Sequence, residues 1–240
     1  MTTLLRALAS ASGLSRRKAF AAIREGRVTV DGRPCSDPSA PYDGGELALD
    51  GSPLTAPAAE RAYLLLNKPP GFVTTRSDER GRRTVFDLVP EALRAPGLHS
   101  AGRLDMDTSG LLILTNDGGL TYALTHPRHE VEKEYHVRLA APPSDGQIAR
   151  LRGGVDLDGR PARPVRLRRL AGAEPFQLSI TLREGRKRQV RRMFEAAGGR
   201  VTMLRRVREG PLELGGLAEG SVRRLTPAEV EALRRAAGGG

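Results

Sequence analysis

Four consecutive apolar residues, Leu111-Leu112-Ile113-Leu114, are closed off by Thr115-Asn116-Asp117-Gly118. A short apolar run ended by turn formers reads as a strand buried in a sheet, and the rest of the fold has to be arranged around it. Tyr63–Leu66 is a second apolar run, turned by Asn67-Lys68-Pro69-Pro70-Gly71, and Phe72–Thr75 reads as a strand after it. Glu134–Leu139 and Phe176–Leu182 alternate as strands do. Arg192–Ala197 has a helical pattern stopped by Gly198-Gly199. Thr226-Pro227-Ala228-Glu229 is a capping box that opens a helix to about Arg235, and the last three glycines are expected to fray. No internal repeat is visible. The expectation is an α+β fold with a mixed or antiparallel sheet.

The first fifty residues read differently. Leu4, Leu5 and Leu8 sit at helical spacing, and Ser12-Gly13 ends that helix. Ser15 can cap a second helix from Arg16 to Glu25, with Ala19, Phe20 and Ile23 as its apolar stripe and Gly26 as its stop. Arg27–Val30 alternates into the tight-turn pair Asp31-Gly32, and Glu46–Leu49 gives a further strand. The unit is helix, helix, hairpin. Ser52–Glu60, SPLTAPAAE, has little apolar bulk and reads as a linker. The division is therefore a small N-terminal domain over 1–51, a linker over 52–60 and a larger domain over 61–240.

Charge narrows the choice of partner. Lys and Arg number 39 against 28 Asp and Glu, a net charge of +11, and all but Lys18, Lys68, Lys133 and Lys187 of those cations are arginines. A balance so basic favours a polyanion, nucleic acid first. Residues 1–30 hold Arg6, Arg16, Arg17, Lys18, Arg24 and Arg27 against Glu25 alone. Arg16, Arg17 and Lys18 lie in the first turn of the second helix, where the helix dipole disfavours cations. They read either as a solvated face or as phosphate contacts.

Several classes drop out. Cys35 is the single cysteine, which excludes a disulfide framework, a cysteine zinc cluster and the two-cysteine zinc site of nucleobase deaminases. No uncharged apolar run is long enough to span a membrane, and the N-terminus does not resemble a secretory signal. The expected location is the cytoplasm. His126 and His129, in HPRH, lack a third ligand and read as surface histidines. No phosphate-loop or dinucleotide fingerprint is present.

Three constellations remain for chemistry. Gly102-Arg103-Leu104-Asp105-Met106-Asp107-Thr108-Ser109-Gly110 holds two carboxylates directly before the buried strand, at the mouth of a rigid element. The residues themselves do not rank Asp105 against Asp107, and the same stretch suits an ordinary turn. Tyr135 shares a strand face with Val137 and could be core or a base-stacking surface. Aromatics are only 4% of the chain, which argues against a reader built on repeated stacking. From Arg183 to Arg208 there are ten basic residues and two acids, and Arg186, Lys187 and Arg188 head that run as candidate phosphate contacts.

Two resemblances follow. Leu14-Ser15-Arg16-Arg17-Lys18, Ile23 to Val28, and Val30-Asp31-Gly32 resemble the small RNA-binding domain named after ribosomal protein S-four. Gly102-Arg103-Leu104-Asp105 with Thr108 to Leu112, Lys133-Glu134-Tyr135, and Gly185 to Met193 resemble the RsuA/RluB family of pseudouridine synthases. Leu66-Asn67-Lys68-Pro69 and Leu225-Thr226-Pro227 fit the same pattern, which spans nearly the whole chain. The resemblance implies that Asp105 is the catalytic aspartate, Tyr135 the active-site tyrosine and Arg191 the aspartate's basic partner. It implies that Arg103 fills the space left by a flipped base, that no cofactor is required, and that the substrate is ribosomal RNA. That RNA would be met free or in a pre-ribosomal particle, by a monomer, away from membranes. Arg186 to Gln189 and Arg206 to Leu212 look closer to the branch acting on large-subunit (23S) RNA, with small-subunit RNA as the alternative. An Asp–Arg pair makes physical sense there, since a guanidinium keeps a desolvated carboxylate ionised. Outside this class stands a non-catalytic RNA-binding assembly factor, and behind it a helix-turn-helix DNA regulator, which leaves residues 101–192 unexplained.

Overall fold

A computed structural model describes residues 2–54, 60–172 and 174–238. The chain forms two compact units, Met1–Ala62 with Arg94–Leu98, and Tyr63–Leu93 with His99–Gly240. The core of the expected linker, residues 55–59, lies outside the described residues, as do the last two of the C-terminal glycines.

In the first unit, helix α1 (Leu4–Ser12) starts under the Thr3 cap and ends at Gly13, whose φ of 69° a glycine adopts freely. Helix α2 (Arg16–Arg24) begins at Ser15, whose Oγ accepts from the Lys18 amide at 3.2 Å. Strand β1 (Val28–Val30) turns through Asp31 and Gly32, at φ 49° and 74°, and pairs antiparallel with Arg33–Pro34 and with strand β2 (Leu47–Leu49). Two positive φ values in sequence are what a tight hairpin turn demands. Leu4, Leu8, Ala19, Ala22, Ile23, Val28 and Leu47 close the core. Phe20 does not join them. It is 48% exposed, because α2 turns Ala19, Ala22 and Ile23 inward and that arc leaves Phe20 outside.

The second unit is built on a mixed sheet. The strands along its main path are β3 (Tyr63–Lys68), β4 (Ser109–Thr115), β5 (Lys133–Leu139), β6 (Arg166–Arg169), β7 (Leu178–Leu182), β8 (Val201–Glu209) and β9 (Val222–Arg224). They lie in the order β6-β7-β5-β8-β4-β3-β9, antiparallel except that β8 and β4 run parallel. Leu111 to Leu114 are fully buried, as the opening run predicts. Leu65, Leu111 and Ile113 pack with Leu120 and Leu124 of helix α3 (Gly118–Thr125) and Val230 and Leu233 of helix α6 (Pro227–Ala236). The Thr226 capping box at the head of α6 is present.

Phe72–Thr75 is not a strand. It makes one isolated bridge, Val73 to Thr84, and Thr74 and Thr75 turn their hydroxyls to backbone carbonyls of Leu104 and Ser77. Residues with strand propensity are here used to tether a loop, a choice set by tertiary contacts. Helix α4 is Asp145–Gly153, and the helical pattern near Arg192 is helix α5 (Gln189–Ala196).

Candidate active site

The two carboxylates of the 102–110 stretch sit on a clamped turn. The Thr108 amide donates to the Asp105 carbonyl at 3.1 Å. Thr74 Oγ1 donates to the Leu104 carbonyl at 2.8 Å, and the Gly71 amide donates to the Met106 carbonyl at 2.8 Å. Lys68, at the end of β3, is buried beneath the turn, and its Nζ donates to the carbonyls of Pro69, Met106 and Thr108 at 3.0, 3.2 and 2.8 Å. Three carbonyls use all three N–H bonds of an ammonium. Burial pushes Lys68 down to about 8, against the pull of the Asp107 and Asp105 charges.

The turn is locked to β8. Gly110 sits at φ 103°, and a Cβ there would lie 2.2 Å from the Arg206 carbonyl oxygen. Only glycine lets the two parallel strands approach so closely. On β8 the pairing with β5 slips by one residue, so that Glu134 faces Arg208 while Tyr135 faces Arg206. This bulge at Val207 lets Arg206 and Glu209, three apart, meet on one side of a strand. Both are buried, with Arg206 Nη2 3.2 Å from Glu209 Oε2, and Lys133 Nζ 3.8 Å from Glu209 Oε1. Arg206 Nε donates to the Leu111 carbonyl at 2.8 Å. Its charge also acts on the Tyr135 phenol. Burial pushes the phenol above its usual range while Arg206 pulls it back, and the net direction is up. Tyr135 is therefore a neutral phenol at neutral pH, held from behind by a cation.

The arginines of the 183–192 run close over the carboxylates. Arg188 heads α5 at φ 51°, a strained conformation for a side chain of this size, and grips Asp107 with two hydrogen bonds of 3.0 and 3.1 Å. Its Nη1 is also 3.9 Å from Asp105 Oδ2. Arg191 donates to the carbonyls of Asp107 and Val201 at 2.9 and 3.1 Å, and its Nε lies 3.3 Å from Asp107 Oδ2. Its direct carboxylate contact is thus Asp107, with Asp105 acting on it through the field. Burial alone would raise the Asp107 carboxyl, but the Arg188 bond and the Arg191 charge bring it below its usual range. The Asp105 side chain is 35% exposed and that of Asp107 44%. The cluster is open to a ligand, and removing Arg191 does not strand a fully enclosed charge.

The remaining sequence candidates divide. Arg103 is exposed on the same turn as Asp105. Arg186 is committed to Glu184 at 2.9 Å and to the carbonyls of Arg160 and Pro161. Lys187 is exposed with no ion pair among the described residues. Arg16, Arg17 and Lys18 are exposed on α2 in the other unit. Residue-by-residue reasoning missed Lys68, Arg206, Glu209 and the structural duty of Arg188. Lys68 carried a signal in Leu66-Asn67-Lys68-Pro69, and Arg206 and Glu209 lie in the Arg206 to Leu212 stretch, which was read only for the choice of substrate. Among the described residues, no group of three or more His, Cys, Asp or Glu is placed to hold a metal ion, and no helix is long and apolar enough to cross a membrane.

Such an arrangement presents two partly exposed carboxylates among cations, Asp107 gripped by Arg188 and Asp105 beside it, with a buried neutral phenol and a clamped backbone. It suits chemistry at an electron-poor carbon of an anionic ligand. Residues 62–196 match the family model for RNA pseudouridylate synthase, and residues 4–47 match the model for the S4 domain. The ribosomal large subunit pseudouridine synthase B of Bacillus subtilis (strain 168) is 38% identical over 240 residues, covering 98% of this chain and 96% of that protein. The protein of the same name from Yersinia pestis is 41% identical over 218 residues, covering 88% of this chain and 68% of its own length. A crystal structure of a pseudouridylate synthase superposes with a TM-score of 0.68 at 36% identity, over 97% of this chain and all of the other.

Proposed function

This chain belongs to the RNA pseudouridylate synthase family, and from that premise we propose that it converts a specific uridine of large-subunit ribosomal RNA to pseudouridine, with Asp105 acting at the ribose. In this isomerisation the bond between N1 of uracil and C1′ of ribose breaks. The base turns, a bond forms between C5 and C1′, the C5 proton leaves and N1 gains a proton. Atoms and electrons balance within the nucleotide.

Asp105 attacks C1′ or takes a proton from C2′; either route needs an ionised carboxylate that a flipped nucleotide can reach. Its partial exposure and the neighbouring Arg188 support both requirements. Arg191 and Lys68 add to the positive field and hold the turn's backbone, so that the carboxylate is aimed before substrate arrives. Tyr135 packs against the turning uracil as a neutral phenol and stands near the proton that C5 releases. Arg103 occupies the space vacated by the base. Extrusion costs a few kcal/mol, which contacts to phosphate offset. Arg16, Arg17, Lys18 and Lys187, with the outer faces of Arg186 and Arg188, supply them.

In this reading residues 1–51 capture RNA, 61–240 perform the reaction and 52–60 join them, in a cytoplasmic monomer acting on free RNA or a pre-ribosomal particle. The observation that carries it is the clamped turn beneath Asp105. Pseudouridines mapped across both ribosomal RNAs, from cells with and without the protein, test it. Loss of a site in the large-subunit RNA is expected. Loss confined to small-subunit RNA would move the substrate, and an unchanged map would leave only a non-catalytic assembly factor.

A further inference from the structure

Helix α2 carries a row whose middle member, Phe20, the proposed reaction does not use. Arg16, Phe20 and Arg24 are spaced by four residues and so stand one above another on one face. Among the described residues Phe20 is the most exposed of the large apolar side chains, although the chain has only five Phe, four Tyr and no Trp. An isolated exposed apolar residue needs no explanation. This one has Arg16 and Arg17 in the turn before it and Arg24 in the turn after it. Arg16, Arg17 and Lys18 have no ion pair among the described residues, and the first turn of α2 contains no acid. Arg24 feels the field of Asp37. Elsewhere Arg83 covers the ring of Phe72 and Arg128 that of Tyr122, but among the described residues no guanidinium lies over Phe20. An open aromatic face thus lies between two guanidiniums whose Cα atoms are ~12 Å apart along the axis.

From this juxtaposition we propose that Phe20 is a stacking platform for one unpaired RNA base, with Arg16 and Arg24 taking the phosphates on either side of it. The proposal rests on the RNA-binding reading of this unit and adds to it a preference for single-stranded over duplex RNA at α2. A base offers a flat π-face to the ring and brings its own anions to the flanking cations. A protein knob seated on Phe20 would instead have to desolvate Arg16, Arg17, Lys18 and Arg24 without neutralising them.

The absence of tryptophan makes the test direct. In the full-length protein, Phe20→Trp places the only indole of the chain at the site. A single-stranded RNA of about ten nucleotides should quench its fluorescence, and the same strand in a perfect duplex should not. Phe20→Ala should weaken single-strand binding by about 5- to 150-fold without changing the salt dependence. Arg16→Gln should reduce the slope of log K against log salt by about 0.7. Should Phe20→Ala bind like the parent and the indole stay unquenched while Arg16→Gln weakens binding, stacking is wrong and phosphate binding stands. Should neither substitution change affinity, the RNA-binding reading of α2 falls as well. Loss of self-association in Phe20→Ala with RNA affinity intact would make the face a protein contact and overturn the proposal.

Discussion

Helix α2 and the run leading into α5 look alike in sequence, both crowded with arginine, yet they treat their cations in opposite ways. On α2, Arg16, Arg17 and Lys18 face solvent with no carboxylate paired to them among the described residues. Around α5, Arg186 pairs with Glu184, Arg188 and Arg191 with Asp107, and Arg192 with Asp158. Further along, Arg206 pairs with Glu209, and Arg208 with Glu132 and Glu134. Free cations signal a polyanion that has yet to arrive, whereas paired ones fix geometry. Basic density alone does not separate the two, and the acids that do are up to 84 residues away in the chain, as Asp107 is from Arg191.

That contrast can be broken at five places. The largest effect is expected at Gly110, where Gly110→Ala drives a methyl into the backbone of β8. A loss of about 3 kcal/mol or more in unfolding free energy, with activity lost alongside, is expected from chemical denaturation. A wild-type midpoint would mean that β4 and β8 can separate. Next is Lys68. Lys68→Met removes three hydrogen bonds from the turn and should lower kcat ~100-fold, the scale of misplacing a reacting group by an ångström. In the parent enzyme, kcat should fall as pH rises through about 8, because a neutral amine has two N–H bonds for three carbonyls. A flat profile from pH 7 to 9 would contradict the clamp.

Smaller again is Glu134. Its carboxyl is held at about 2: burial raises it, and bonds from Ser179, Arg168 and Arg208 more than reverse that. A depressed carboxyl adds stability above its unfolded value that is lost as pH falls from about 4.5 towards 2. Glu134→Gln should remove about 2 kcal/mol at neutral pH and flatten the acid limb of the denaturation curve. The gentlest change is Arg16→Gln, which should raise KM and make it less sensitive to salt. Arg192→Gln, paired already with Asp158, should alter that salt dependence less; equal slopes would erase the distinction between free and paired arginines.

Much of the fold was legible because its signals are local. The Asp31-Gly32 turn, the caps at Ser15 and Thr226 and the Leu111–Leu114 strand depend on residues within a turn of each other. Phe20 misled because helical spacing admits it to the apolar stripe, and only the arc that packs against α1 decides which side is buried. Phe72–Thr75 misled because the Thr74 hydroxyl is used to hold a loop thirty residues on. In the site, the motif pointed to the Asp105 turn and to Tyr135. It did not disclose that Arg191 grips Asp107, that Arg188 sits at positive φ, or that a bulge sets Arg206 behind Tyr135. The bulge depends on register between strands, and the Arg191 contact on two segments 84 residues apart, which no single stretch records.

The claim on which all of this turns is that one carboxylate acts on ribose. Asp105→Asn should keep the shape and, with Arg188 and Arg191 in place, the RNA affinity of the parent. Purified variant and parent, incubated with large-subunit ribosomal RNA, are compared by carbodiimide labelling and primer extension. The parent should give a stop at one uridine and the variant none; a stop of full strength with the variant would contradict the account.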